Sequence, residues 1–321
     1  GGGDLARDYL LTYQFRGDAH RQFTVDGYVQ ADFHLGAQWE AVATARYDYF
    51  SVGHHGRPTT KLTARYRNGA WTLRASYGQG FRAPTLKEKY MNFFLNDIFI
   101  IRGHEQLRPE VSHNWHVSAD WSKGGTEVSS SVSYNRVLDR ITTAEPTTER
   151  DGLSGLPFVD YINVPRLTVW NVQLCVNHRR RLGSGTLSGT FQYAFTHEQA
   201  PTVGTLTPYM PARPHSATAR LAYDRRVSPQ YAVGVQLSGR FLSALSGREY
   251  NSATGASRTL HYPAYALLRL ALTQQMGTAV RLNLTADNLL NYRPHIYYYN
   301  APLTDGLNLS VGMTLDLDRL F

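Results

Sequence analysis

The sequence predicts an all-β protein, specifically an antiparallel transmembrane β-barrel. Three observations carry that expectation. Apolar and polar residues alternate with period two over many segments, short turns alternate with long connections, and aromatic residues gather near the ends of the alternating segments. The clearest alternation runs from Thr186 to Thr196. There Leu187, Phe191, Tyr193 and Phe195 fall on one face, and Ser188, Thr190 and Gln192 on the other, as in a strand with one apolar and one polar side. Val280 to Asp287 repeats the pattern, and so does Leu307 to Asp318. Further candidate strands are 29–35, 41–49, 62–66, 71–77, 111–121, 128–134, 168–176, 216–223 and 231–241, which makes twelve named segments against an expected total of roughly 14, and no segment shows a convincing amphipathic helical stripe.

A soluble sandwich and a membrane barrel share this periodicity, and the connections distinguish them. Sandwich turns recur at short, even spacing. Here Arg67-Asn68-Gly69-Ala70 and Lys123-Gly124-Gly125 read as tight hairpins, whereas 81–110 and 142–165 read as long connections. Short turns on one side and long loops on the other suit a barrel whose strands need about 9–11 residues to cross a bilayer. Tyr47, Tyr49, Tyr66, Tyr77, Tyr193 and Tyr223 are then expected to form interfacial girdles.

Composition bounds the alternatives. The chain has 321 residues, of which 42% are hydrophobic, with 21 Tyr, 13 Phe and 5 Trp, and that aromatic content excludes a disordered chain. The single cysteine, Cys175, excludes a disulfide framework and a multi-cysteine metal site. The most apolar run, Tyr265 to Leu272, is broken by Arg269 and is too short for a membrane-spanning helix, which needs about 20 residues. A net charge of +8 raises the question of nucleic acid. The basic residues are mostly arginines scattered through alternating strands, so no nucleic-acid partner is expected. The opening Gly1-Gly2-Gly3-Asp4 has neither the charged nor the apolar region of a secretory signal, which predicts a mature, trimmed or partial chain.

Several motif matches fail in context. Gly78-Gln79-Gly80-Phe81-Arg82-Ala83 has dinucleotide-fingerprint spacing, but Pro84 follows instead of a helix. His113 and His116 point to opposite faces of a strand and cannot share a metal. His54-His55 reads as a solvated loop pair. Tyr297-Tyr298-Tyr299 reads either as lining the mouth of the barrel or as an interfacial aromatic cluster. No Ser-His-acid grouping supports an enzyme.

Between Leu73 and Glu110 the sequence runs LRASYGQGFRAPTLKEKYMNFFLNDIFIIRGHEQLRPE. The Phe81-Arg82-Ala83-Pro84 block and the Leu107-Arg108-Pro109-Glu110 block resemble those of the TonB-dependent outer-membrane receptors. There a strand ends in the first block, a long extracellular loop follows, and the second block opens the next strand. His104-Glu105-Gln106 stands where Asn-Pro-Asp is usual. Arg46-Tyr47-Asp48, Asp287-Asn288-Leu289-Leu290-Asn291 and the alternation ending at Phe321 also resemble family segments, so the resemblance runs from about Asp26 to Phe321; Arg319 departs from the terminal signature.

The paired blocks are closest to those of the haem and haemoglobin receptors, which implies a histidine ligand for haem iron in the intervening loop. His104 is the one histidine in that interval, with Tyr90 and Met91 as further contacts and His104 as the metal ligand. From the residues themselves, Phe93, Phe94, Ile98, Phe99, Ile100 and Ile101 read equally as an apolar ligand wall or as the lipid-facing tops of two strands. Arg82, Lys87, Lys89, Arg102 and Arg108 would supply charge for carboxylates.

The resemblance implies a bacterial outer-membrane transport barrel for a scarce ligand, haem or another metal complex, energised by the TonB system. Haem would be cargo, and no intrinsic cofactor is expected. Residues 1–321 read as barrel alone, with no plug domain and hence no direct TonB contact. The expected partners are the lipid bilayer, the TonB complex through the plug, and either a second chain completing the barrel or a surface lipoprotein that captures ligand. The alternative is a plugless barrel acting as an assembly platform or passive pore. The chain could be a C-terminal fragment, a split receptor or a small complete barrel; two open edges in lipid would be costly.

Overall fold

A computed structural model describes residues 1–11, 19–95, 98–199, 212–251, 256–294, 302 and 304–317, without the side chains of 248–251 and 257. Along the chain come β1 (Gly2–Leu10), β2 (His20–Leu35), β3 (Trp39–Phe50), β4 (His55–Asn68) and β5 (Trp71–Arg82). A short helix α1 (Leu86–Tyr90) and two short strands, β6 (Asn92–Leu95) and β7 (Phe99–Arg102), interrupt the series. It resumes with β8 (Glu110–Lys123), β9 (Thr126–Thr143), β10 (Phe158–Leu182), β11 (Gly185–Gln199), β12 (His215–Ser228) and β13 (Tyr231–Leu242). β14 (Leu245–Asn251) and β15 (Ala256–Tyr262) form a separate hairpin before β16 (Tyr265–Met276), β17 (Val280–Asp287) and β18 (Asn308–Leu315).

The main sheet has 16 strands, and all but β6 and β7 form one antiparallel meander in sequence order from β1 to β18. Twelve of the 14 strands of that meander correspond to segments named from the periodicity, and β1 and β16 are the other two. Among the described residues, β1 and β18 do not pair with each other, so the sheet ends in two open edges.

Register sorts the side chains into two faces. Arg74 pairs with Ser118, Ser118 with Ser131, Ser131 with Gln173, and Cys175 with Gln192, so polar residues line one side row by row. The other side carries Leu73, Ala119, Val132, Val172 and Leu221 in the alternate positions. Ion pairs cross the polar face: Arg46 reaches Asp26 at 3.0 Å, Arg269 reaches Asp287 at 3.2 Å, and Arg74 pairs with Asp120 and Arg65 with Glu40. The apolar face stays open, with Val117 59% and Leu62 54% exposed. That is the arrangement of a barrel wall, wet inside and bathed in hydrocarbon outside.

The two- and three-residue turns between neighbouring strands of the meander lie at one end of the sheet and the longer connections at the other, where β3 and β4 are joined by only four residues, 51–54. The short turns reverse in two or three residues, and Gly69, Gly124 and Gly183 take φ of 56°, 61° and 60° there, where a Cβ is disfavoured. Aromatic bands flank the apolar face. Near the short turns Trp39 meets Tyr66 at 4.7 Å and Trp71 meets Trp121 at 6.4 Å. Toward the loop end Tyr77, Trp115, Tyr134 and Trp170 form a chain with centroid separations of 5.3, 5.4 and 4.5 Å. Tyr66 and Tyr77 therefore sit in bands as the sequence predicts.

Three expectations need correction. The helix α1 exists because Thr85 caps it: the Thr85 hydroxyl accepts from the Glu88 N–H while the Glu88 carboxylate accepts from the Thr85 N–H. The connection read as 142–165 is shorter, because β9 continues to Thr143 and β10 already begins at Phe158. The strands β1 and β16 and the β14–β15 hairpin are additions to the sequence reading. Tyr297-Tyr298-Tyr299, Arg319 and Phe321 lie outside the described residues.

Candidate functional site

The connection between β5 and β8 is a folded unit. β5 ends at Arg82 and β8 begins at Glu110, and these two residues face each other across the ladder. The Arg82 guanidinium donates from Nε and Nη2 to the two Glu110 oxygens at 2.9 Å each, and from Nη1 to Glu88 at 2.9 and 3.0 Å. Glu110 also accepts the Ile141 N–H at 2.6 Å. One arginine thus ties both ends of the connection and its helix to the rim of the sheet by paired, charge-assisted bonds.

A small core lies beneath. Ala83, Leu86, Ile100, Ile101, Leu107 and Val159 are all buried. The β6–β7 hairpin folds back, and β7 adds in parallel to the first residues of β10, with Ile100 opposite Phe158 and Arg102 opposite Asp160. Asn163 on β10 closes the far side: its amide donates to the carbonyls of Arg108 at 2.9 Å and Asp139 at 2.7 Å, and its oxygen accepts the Arg108 N–H at 2.8 Å. The stretch Phe93 to Ile101 therefore divides. Ile100 and Ile101 belong to the core of the connection, while Phe94 and Ile98 remain 53% and 40% exposed.

The sequence-predicted site residues fall into two groups. His104, Tyr90 and Met91 are neighbours: the His104 N–H donates to the Glu88 carbonyl at 2.9 Å, and the Gly103 N–H donates to that of Met91 at 3.0 Å. Gly103 is needed for this approach, since a Cβ there would stand 2.8 Å from the Lys89 and Tyr90 backbone. His104 is exposed, Met91 half-buried, and Tyr90 half-buried with its ring stacked on His20 at 3.9 Å. Burial, with the Glu105 carboxylate nearby, pushes the Tyr90 phenol above its ordinary range, so it stays protonated at neutral pH.

The two arginines are placed differently. Arg82 is held by Glu110 and Glu88, and Arg102 by Asp160 at 2.6 Å and Glu149 at 3.3 Å. Both guanidiniums are already matched with carboxylates. Of the other cations, Lys87 sits 4.1 Å over the Phe93 ring, and Arg108 pairs with Asp139 at 2.7 Å. Lys89 is buried, 6% exposed, and burial lowers its pKa against the opposing pull of Glu105. Sequence reasoning missed the Arg82–Glu88–Glu110 cluster, although the Thr85-x-x-Glu88 spacing directly after Pro84 carried the capping signal.

The glycine-rich and His113/His116 matches fail as read, but His54-His55 is not a solvated loop pair, because His55 is half-buried at the start of β4. Gly78 and Gly80 continue β5 as a strand. His113 bonds the Tyr77 hydroxyl at 2.8 Å on the apolar face, while His116 lies on the polar one. His54 takes a left-handed turn conformation and bonds the Tyr49 hydroxyl at 3.0 Å. Among the described residues no group of three His, Cys, Asp or Glu side chains could hold a metal ion. A single axial histidine does not need such a group.

The polar face also carries a recess of about 500 Å³, lined by Arg74, His116, Asp120, Gln173, Cys175 and Gln192 among others. It lies along the wall, whereas the folded connection lies at its rim.

Comparison with known proteins gives a family and a set of folds. The family described as TonB dependent receptor-like, beta-barrel matches residues 2–289. Among solved structures, the siderophore receptor PirA from Acinetobacter baumannii is 13% identical with a TM-score of 0.65, over 94% of this chain and 47% of that one. The FrpB iron transporter from Neisseria meningitidis (F3-3 variant) is 15% identical with a TM-score of 0.64, over 94% and 46%. PirA from Pseudomonas aeruginosa is 15% identical with a TM-score of 0.64, over 98% and 52%. The chain thus spans about half the length of these structures. No curated protein sequence matches.

Proposed function

The chain belongs to the TonB-dependent receptor β-barrel family, and we propose that it forms the ligand-recognising barrel portion of a receptor that takes up a metal complex at the cell surface. The family's barrels stand in the bacterial outer membrane, and its members are transporters rather than enzymes. The short turns then face the periplasm and the folded connection faces outward. In this reading residues 1–321 supply wall and loops. Gating and coupling to TonB belong to a plug outside them.

The observation that supports the reading best is the state of His104. Its backbone is fixed against α1 while its side chain is exposed, on a connection tied to the rim through Arg82 and Glu110. A prearranged imidazole beside Tyr90 and Met91 suits an axial contact to an iron complex. We take haem as the specific ligand to test because the blocks Phe81–Pro84 and Leu107–Glu110 that flank His104 resemble those of haem receptors; the neighbouring solved structures are named for siderophores and iron, which makes a ferric siderophore the rival ligand. With Arg82 and Arg102 already paired, recognition would rest on His104, Tyr90, Met91 and the exposed Phe94 rather than on free guanidiniums.

Haemin titration of outer membranes carrying the protein tests this. The wild type should give an iron–imidazole absorbance spectrum that His104→Ala abolishes, with affinity falling at least tenfold. Identical spectra and affinities would remove His104 from the site. Binding by neither, with uptake of a ferric siderophore intact, would replace haem with that other class of complex.

A further inference from the structure

The outward, apolar face carries charge at the short-turn end in only one place among the described residues. Lys123 follows Trp121 by two positions on β8 and so shares its outward face. Arg180 pairs with Leu187, which pairs with Tyr223, all on that face. Arg225 follows Tyr223 by two positions and pairs with Gly185 and Val233. These three cations therefore point outward from three successive hairpins, β8–β9, β10–β11 and β12–β13. Hairpins in a meander repeat about every 10 Å, so the row extends roughly 20 Å along the rim.

Each of the three side chains is exposed, and none makes a hydrogen bond or an ion pair among the described residues. The nearby acids are on the other face: Glu127 pairs with Ser122, and Asp224 with Thr186. The remaining short turns show the contrast, because their outward residues are Leu35, Trp39, Tyr66, Trp71, Met276 and Val280, all uncharged. Lys123 and Arg225 stand one outward position beyond Trp121 and Tyr223 on the turn side of the aromatic band, and Arg180 lies level with Tyr223. In a membrane barrel that is the level at which hydrocarbon gives way to headgroups.

The geometry points to an anionic-phospholipid site on this rim. Lys123, Arg180 and Arg225 bind phosphate groups of the periplasmic-leaflet lipids, and Trp121, Tyr223 and Leu182 receive the upper acyl chains. Long basic side chains can lie along the apolar wall and present their charge at headgroup depth, and an unmatched row of cations attracts anionic lipid there. A lipid, rather than an acidic protein, fits because the cations alternate with membrane-embedded side chains on the outward face. A soluble periplasmic partner would meet the turn tips and the lumenal rim, where Arg179 and Arg181 stand.

The test is native mass spectrometry of the full protein extracted from outer membranes in mild detergent, with phosphatidylglycerol as the probe lipid and phosphatidylcholine as the neutral control. The wild type should retain phosphatidylglycerol in preference to phosphatidylcholine. Replacing Lys123, Arg180 and Arg225 together with Gln should reduce that retention at least fivefold, while Arg179→Gln with Arg181→Gln leaves it unchanged. Arg180→Lys with Arg225→Lys should restore it, which separates lost charge from misfolding. Equal retention by the wild type and the triple variant would overturn the site. So would an equal loss in the Arg179/Arg181 control, or a salt-sensitive acidic protein bound in place of lipid.

Discussion

The wall and the connection at its rim are built on opposite principles. Along the wall, residues such as Val117, Leu309 and Val311 are 59%, 72% and 77% exposed although they are apolar, and the polar partners on the other face are open as well. At the rim, Pro84 and Leu107 are almost wholly buried within a few residues of the Arg82–Glu110 pair, as is Val164 on β10. The wall gets its order from continuous backbone pairing and leaves its apolar burial to the bilayer, whereas the connection carries its own core and ion pairs. A loop meant to hold one geometry for a ligand needs that internal support, because lipid cannot reach it.

This contrast can be broken at either end. The largest effect is expected from Leu107→Ala, which removes a fully buried side chain from the small core and should cost the connection roughly 2–5 kcal/mol. Protease cleavage within 83–109 should accelerate while the barrel keeps its heat-modifiable folded band; loss of both together would mean that rim and wall form one cooperative unit.

Next comes charge on the wall. Val117→Arg, near the middle of β8 on the outward face, should cost about 2–4 kcal/mol and lower the amount of assembled protein, whereas Ser118→Arg beside it should assemble nearly as the wild type does. Equal yields of the two variants would contradict the assignment of faces.

A smaller effect is expected from Arg82→Ala. The 41% exposed guanidinium is partly screened, so the loss is about 1–2 kcal/mol. Its signature is local: faster hydrogen exchange at the Thr85 and Ile141 amides, whose carboxylate partners lose their clamp. Unchanged exchange there would show that the connection holds by packing alone.

Much of the wall was legible in the sequence because each strand faces two different solvents, and that imposes strict alternation. Leu187, Phe191 and Phe195 against Ser188, Thr190 and Gln192 are enough to assign both faces. Glycine in the tight turns at Gly69 and Gly124 was equally informative. The rim was less legible because its order is non-local: Arg82 meets Glu110 after 28 residues, and β7 joins β10 in parallel. Nothing in the period of Phe93 to Ile101 indicates which residues face inward, since the hairpin's core is shared with Val159 on a distant strand. For the candidate ligand residues, the sequence placed His104, Tyr90 and Met91 in one connection, but that Arg82 and Arg102 already have partners required the geometry.

The alternation itself is open to the most direct measurement. In a Cys175→Ser background, single cysteines at Ser188 and Gln192 and at Leu187 and Phe191 can be treated, in outer-membrane preparations, with a small water-soluble thiol reagent. Modification of Ser188→Cys and Gln192→Cys, with Leu187→Cys and Phe191→Cys protected until the membrane is dissolved, is the result the account requires. Equal modification of both pairs in intact membranes would contradict a wall that is wet on one face and lipid-covered on the other.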